Sequence, residues 1–102
     1  MFELSDLEII VKQRAGAGAQ HSYTASLIEK GINKCAEKFG EEAIEAIIAA
    51  ATNNRDELTK ETADVLFHLL VLLRAADISL SDVYSELQRR TSQSGHQEKA
   101  SR

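Results

Sequence analysis

From Val65 to Leu73 the chain reads VLFHLLVLL, nine residues in which His68 is the only polar side chain. The flanking stretches, ETAD before and RAAD after, are as helix-prone as the run itself. A helical segment that is apolar all round must be covered on every side. The chain that has to supply this cover is short: 102 residues with 43% hydrophobic content, enough for one domain with a modest core. It contains no Pro and only five Gly, which favours long uninterrupted helices over strands and turns. The expected fold is all-α.

Two acidic clusters stand beside this run. Glu41, Glu42 and Glu45 lie in KFGEEAIEAII, and Glu61 and Asp64 follow after fifteen further residues, leading directly into Val65. At about 100° per residue, Glu41, Glu45 and Glu42 fall at roughly 0°, 40° and 100° on a helical wheel. Lys34 and Lys38 share that face, while Ile32, Cys35, Ala36, Phe39, Ala43, Ala46, Ile47 and Ala50 collect on the arc expected to pack. On the next helix Asp64, Glu57, His68 and Glu61 fall within about 60° of one another.

Between the clusters Thr52-Asn53-Asn54 reads as a turn, with Asn54 placed to cap the following helix and Glu57 at the reciprocal position. A helical hairpin results. Folded back antiparallel, it brings Glu45 and Glu61 to matching depths, each about two turns from the connection, so that five carboxylates surround one small volume. Like charges four apart on a helix repel even when exposed, and more once water is excluded. A divalent cation removes that penalty. An all-oxygen donor set without Cys or paired His selects a hard ion, Mg²⁺ first and Mn²⁺ second. A single Glu on a helix face is ordinarily just solvated; a carboxylate pair that opens a buried segment is not.

Along the rest of the chain, Ser5 and Glu8 spell a capping box with Leu4 and Ile9 as its hydrophobic staple, opening a helix from Asp6 to Arg14 whose stripe is Leu7, Ile10 and Val11. Residues 15–20 are a small, flexible linker. Ser22 caps a short helix, Tyr23 to Lys30, closed by Gly31. Asn33 is placed to cap the helix 34–51, helix 55–76 follows, and Ser79 opens a last helix, Leu80 to Thr91, with Leu80, Val83 and Leu87 as buried positions. The tail, residues 92–102, is polar and compositionally like disordered chain.

Two amphipathic helices and one that is apolar all round exceed what 102 residues cover easily. Two hairpins packed as a four-helix bundle would bury both sides of 65–73, which predicts a homodimer. Net charge is −4 and no Lys/Arg run is long enough to track a phosphate backbone, so nucleic acid is excluded as the expected partner. No apolar run approaches a membrane span, and MFELSDLEII has acids where a leader needs bases. With one cysteine, Cys35, on an apolar face, no disulfide framework exists, and a cytoplasmic setting is expected.

The spacing E-E-x-x-E, fifteen residues, E-x-x-D resembles the signature of the all-α nucleoside triphosphate pyrophosphatases, the MazG-like superfamily that also holds the dimeric dUTPases. Within it the chain is most similar to the phosphoribosyl-ATP pyrophosphatase family of histidine biosynthesis. The resemblance runs through SYTASLIEKG (22–31), KCAEKFGEEAIEAIIAA (34–50), ETADVLFHLLVLL (61–73) and RRTSQSGHQEKASR (89–102). No cyclohydrolase segment accompanies it, so the stand-alone form is expected.

That resemblance implies one MazG-like domain over residues 1–102 that hydrolyses the α–β anhydride of 1-(5-phosphoribosyl)-ATP, giving 1-(5-phosphoribosyl)-AMP and pyrophosphate. By the same resemblance Glu42, Glu45, Glu61 and Asp64 hold Mg²⁺. Glu41 is left to bind a second ion or to take the proton of the attacking water. Lys34 and Lys38 are placed for phosphate oxygens, with pairing to Glu37, Glu41 or Glu42 as the alternative. Ser94, Gly95, Glu98 and Lys99 would order over the substrate and recognise its second phosphoribosyl group. Two other readings share parts of this pattern: a house-cleaning pyrophosphatase for ordinary or damaged nucleoside triphosphates, and a non-catalytic helical dimer binding a partner through its acidic face.

Overall fold

A computed structural model describes residues 1–92 and 95, and among these the chain forms helices and no strand. In order they are α1 (Leu4–Ala15), α2 (Tyr23–Glu29), α3 (Ile32–Ala51), α4 (Arg55–Ala75) and α5 (Leu80–Thr91). Helices α3 and α4 form the hairpin that dominates the tertiary contacts, with α1 laid against α4 and α2.

Local chemistry accounts for most of the boundaries. Ser22, Asn54 and Ser79 each accept a backbone N–H from the third residue on, at 3.1 Å in every case. Both hairpin helices end in a left-handed residue that is not glycine. Asn53 (φ 57°) follows α3, where the Asn53 and Asn54 N–H groups reach back to the carbonyls of Ala50 and Ala49. Asp77 (φ 58°) follows α4, where Asp77 and Ile78 do the same to Arg74 and Leu73. This 5→2 and 6→1 pairing satisfies carbonyls that the helix end leaves open, and short polar side chains tolerate the required φ better than other non-glycine residues.

Two helix starts differ from the sequence reading. Helix α1 is capped at Glu3, whose N–H donates to the Asp6 carboxylate at 2.8 Å, in place of the Ser5–Glu8 box. Starting there puts Leu4 into the helix, with Leu4 and Leu7 packed against the core, and leaves Ile9 exposed instead of stapled. Helix α3 begins at Ile32, ahead of Asn33. Gly31, at φ 105°, both closes α2 and turns the chain straight into α3, a conformation that only glycine adopts without strain.

The core joins Val11, Leu27, Cys35, Leu70, Val71 and Leu80, flanked by Leu7, Ile28, Phe67, Leu72 and Leu73. The Cys35 thiol is enclosed there and reaches the Leu27 carbonyl at 3.5 Å, a structural cysteine whose pKa burial pushes up. Truncation of Leu70 to Ala removes a side chain at the centre of this cluster. We expect it to cost about 3 kcal/mol in urea denaturation at fixed protein concentration.

Cover is distributed differently from the expectation. Within 65–73, His68, Leu70 and Val71 are buried and the rest are half-buried by α1, α2 and α3. The large exposed apolar face lies on α3: Ile44, Ile47 and Ile48 are 58%, 66% and 56% accessible. Ile32, Ala36, Ile47 and Ala50, which the wheel placed on the packing arc, are exposed, because α4 and α2 seat against the narrower face around Cys35, Ala46 and Ala49. Helix α5 is anchored through buried Leu80, whose N–H donates to the Glu8 carboxylate at 2.7 Å; Val83 is half-buried, and Leu87 lies exposed with Tyr84.

Candidate active site

The hairpin brings together three of the five carboxylates expected to converge, and Glu41 and Asp64 stay outside. One carboxylate oxygen from each of Glu42, Glu45 and Glu61 lies within 4.8 Å of the others. Their register follows from the short connection, since each side of the turn spends similar helix length before its acids. Glu45 and Glu61 also line a cleft with Ile48, Ala49, Thr52, Asn54 and Glu57.

Three carboxylates this close cannot all be charged at ordinary cost. The Glu61 carboxyl is raised to about 7 from its usual 4.5. The main cause is the close approach of the Glu45 carboxyl, whose hydrogen bonding favours the protonated form. Loss of hydration and then Glu42 add to it. One oxygen of Glu61, Oε2, is enclosed without any hydrogen-bond partner. A cluster that holds a proton it would normally lose, with an orphaned oxygen inside, is the donor set a hard divalent cation satisfies.

Asp64 is not part of this trio. It sits one turn beyond Glu61 on an exposed position of α4, and its backbone carbonyl accepts a hydrogen bond from His68 Nδ1 at 2.9 Å. Glu41 is exposed and engaged: the Lys38 ammonium donates to it at 2.9 Å and holds its carboxyl below the ordinary value. Lys34 pairs with Glu37 at 3.5 Å. Both lysines therefore make the local pairs that were the alternative to phosphate binding. Of the tail residues, Gly95 is exposed, while Ser94, Glu98 and Lys99 lie outside the described residues.

A second polar link was not drawn from the sequence. His68 is buried, with Nδ1 on the Asp64 carbonyl. A carbonyl only accepts, so Nδ1 carries the proton, and in the neutral ring Nε2 is left as acceptor for the Tyr23 hydroxyl, 3.5 Å away. The Tyr23 and His68 rings meet edge to face with centroids 6.2 Å apart. The lone polar residue in an apolar run was the available signal; its partner forty-five positions away was not.

Fold and site together define an all-α chain whose central hairpin carries a carboxylate cluster of the kind that holds hard divalent cations. The model of the phosphoribosyl-ATP pyrophosphohydrolase family matches residues 4–91. The phosphoribosyl-ATP pyrophosphatase of Rhizobium johnstonii is 58% identical over 99% of this chain and 94% of its own length. Its counterpart from Agrobacterium fabrum is 56% identical over the same shares, and that from Dinoroseobacter shibae is 55% identical over the whole of both chains. The chain belongs to the phosphoribosyl-ATP pyrophosphohydrolase family. Among the described residues no helix is long and apolar enough to cross a membrane.

Proposed function

We propose that this chain is the hydrolase that converts 1-(5-phosphoribosyl)-ATP to 1-(5-phosphoribosyl)-AMP and pyrophosphate in histidine biosynthesis, with Mg²⁺ held by its acidic cluster. The convergence of Glu42, Glu45 and Glu61 in a member of this family carries the reading. The fit to a metal rests on the orphaned Glu61 oxygen and on the crowding of carboxylates that raises the Glu61 carboxyl, both of which a cation relieves. Glu42, Glu45 and Glu61 would hold it, with Asp64 as the fourth ligand after a side-chain rotation. Bound there, Mg²⁺ supplies charge neutralisation on the leaving pyrophosphate.

The remaining work falls to the chain's own groups. Lys38 is half-buried beside the cluster and can exchange its Glu41 partner for a phosphate oxygen. Released from the ammonium, Glu41 recovers the basicity that Lys38 suppresses and accepts the proton of the attacking water. Lys34, one turn earlier, is available to the same phosphates, and Ser94, Gly95, Glu98 and Lys99 help recognise the second phosphoribosyl group.

We also propose that two copies associate through the Ile44–Ile47–Ile48 stripe. These residues repeat at i, i+3 and i+4 on the outer face of α3, and a patch of this kind on a hairpin is covered by packing a second hairpin as a four-helix bundle.

The first test is pyrophosphate release with Mg²⁺, comparing phosphoribosyl-ATP with ATP and deoxynucleoside triphosphates, with and without EDTA. Selective release from phosphoribosyl-ATP that EDTA abolishes is expected. Equal or faster release from the other triphosphates would move the chain to house-cleaning hydrolysis. Absence of release from all of them would leave the acidic face as a binding surface.

A further inference from the structure

The molecule holds a second cleft, of about 270 Å³, bounded by the end of α1, the following loop, the start of α2 and Phe67 of α4. Its chemistry is the opposite of the acidic site. The ionisable groups lining it are Arg14 and His21, joined by Ser22, Tyr23 and Thr24, and no carboxylate lines it in a chain of net charge −4. The ion pairs of the described residues leave Arg14 without a carboxylate partner. Thr24 is 1% exposed, and its hydroxyl is enclosed without a hydrogen-bond partner. An enclosed hydroxyl left unpaired costs stability, so its persistence beside an uncommitted guanidinium points to an acceptor that the folded chain does not supply.

We propose that this cleft binds a phosphomonoester, the far 5-phosphate of the substrate's second phosphoribosyl group; the assignment of that group rests on the reaction proposed above. A phosphomonoester brings close to two negative charges and three acceptor oxygens. The Arg14 fork engages two oxygens at once, and the Thr24 hydroxyl donates to another. The cleft is also placed for it. Phe67 follows Glu61 by six residues, about 9 Å along α4, so one elongated nucleotide reaches both sites. Tyr23, whose hydroxyl meets His68 of α4, lines the cleft. ATP has no such phosphate and would leave the cleft's donors unpaired, which makes the cleft a selectivity element.

The test compares phosphoribosyl-ATP with 1-ribosyl-ATP, identical except for the far phosphate, on the wild-type chain, Arg14→Gln and Thr24→Val. Arg14→Gln should lower kcat/KM for phosphoribosyl-ATP roughly 10- to 100-fold, chiefly through KM, and leave 1-ribosyl-ATP unaffected. Thr24→Val should show the same selectivity with a smaller loss. Equal losses on both substrates, or a Thr24→Val chain that is merely more stable and fully selective, would overturn the proposal. Binding gives a readout free of turnover: millimolar ribose 5-phosphate should shift the amide resonances of Ser22, Tyr23 and Thr24 in the wild type and not in Arg14→Gln. Shifts there in a chain that cleaves no phosphoribosyl-ATP would uphold the phosphate site and remove the proposed reaction. Silence of those amides toward both ribose 5-phosphate and inorganic phosphate would remove the site.

Discussion

Replacing Glu61 with Gln is expected to lower pyrophosphate release from phosphoribosyl-ATP by about 10³-fold or more while leaving the helical circular dichroism unchanged. Glu61 is the one contribution of α4 to the carboxylate trio, so its loss leaves Glu42 and Glu45 of α3, with Asp64, which stands outside the trio, as the remaining ligand from α4. A deficit of about 4 kcal/mol in transition-state charge neutralisation corresponds to that factor. The same variant should behave in the opposite sense for stability. In the metal-free chain Glu61 titrates at about 7, against 4.5 for an ordinary carboxyl. The folded state therefore binds more protons than the unfolded one between those values, and wild-type stability falls as pH rises through that window. Glu61→Gln has no proton to lose and should show no such decline, so in EDTA at pH 8 it should melt above the wild type. Near-normal turnover would take Glu61 out of the catalytic centre. A wild-type melting temperature that is flat from pH 4.5 to 7 would mean the trio is spread apart in solution.

Ile47→Lys should convert a dimer into monomers in sedimentation at micromolar concentration. The side chain is 66% accessible at the middle of the α3 stripe. Burying it in an interface is worth about 2 kcal/mol, counted twice by two-fold symmetry, and the substitution adds an ammonium that has no partner there. The dissociation constant should rise at least about 10³-fold. A wild-type chain that sediments as a monomer would end the dimer proposal outright. A variant that stays dimeric would move the interface away from this face, toward the Tyr84 and Leu87 side of α5.

The acidic site was legible in the sequence because its geometry is local twice over. Glu42 and Glu45 are related by one helical turn, Glu61 lies on the next helix, and a three-residue turn leaves little freedom in how those helices pair. Helix periodicity and one tight connection together specify the convergence of these three, though not the outward placement of Glu41 and Asp64, which the wheel puts with them. Capping chemistry read equally well wherever a single candidate existed, at Ser22, Asn54 and Ser79. It failed at the starts of α1 and α3, where Glu3 and Gly31 stand at the cap in place of Ser5 and Asn33, because Leu4 joins the core and Gly31 has the backbone freedom to turn straight into α3.

What stayed hidden depended on distant partners. The wheel for α3 shows one broad apolar arc, and which part of it packs inside the protomer depends on the approach of α2 and α4. The state of Glu41, weakened as a base by Lys38, turns on one of several equivalent local pairings. The cleft at Arg14 and Thr24 reads in sequence as the margin of a small-residue linker; an unpaired hydroxyl is visible only once its surroundings are in place.

By itself, then, the sequence determined the helices, the hairpin and the carboxylates at its centre, since these follow from periodicity and short connections along one stretch of chain. The tertiary structure decided which faces are covered, which acids crowd one another and which polar groups are enclosed unpaired, because burial and electrostatic coupling arise only between groups that folding brings together.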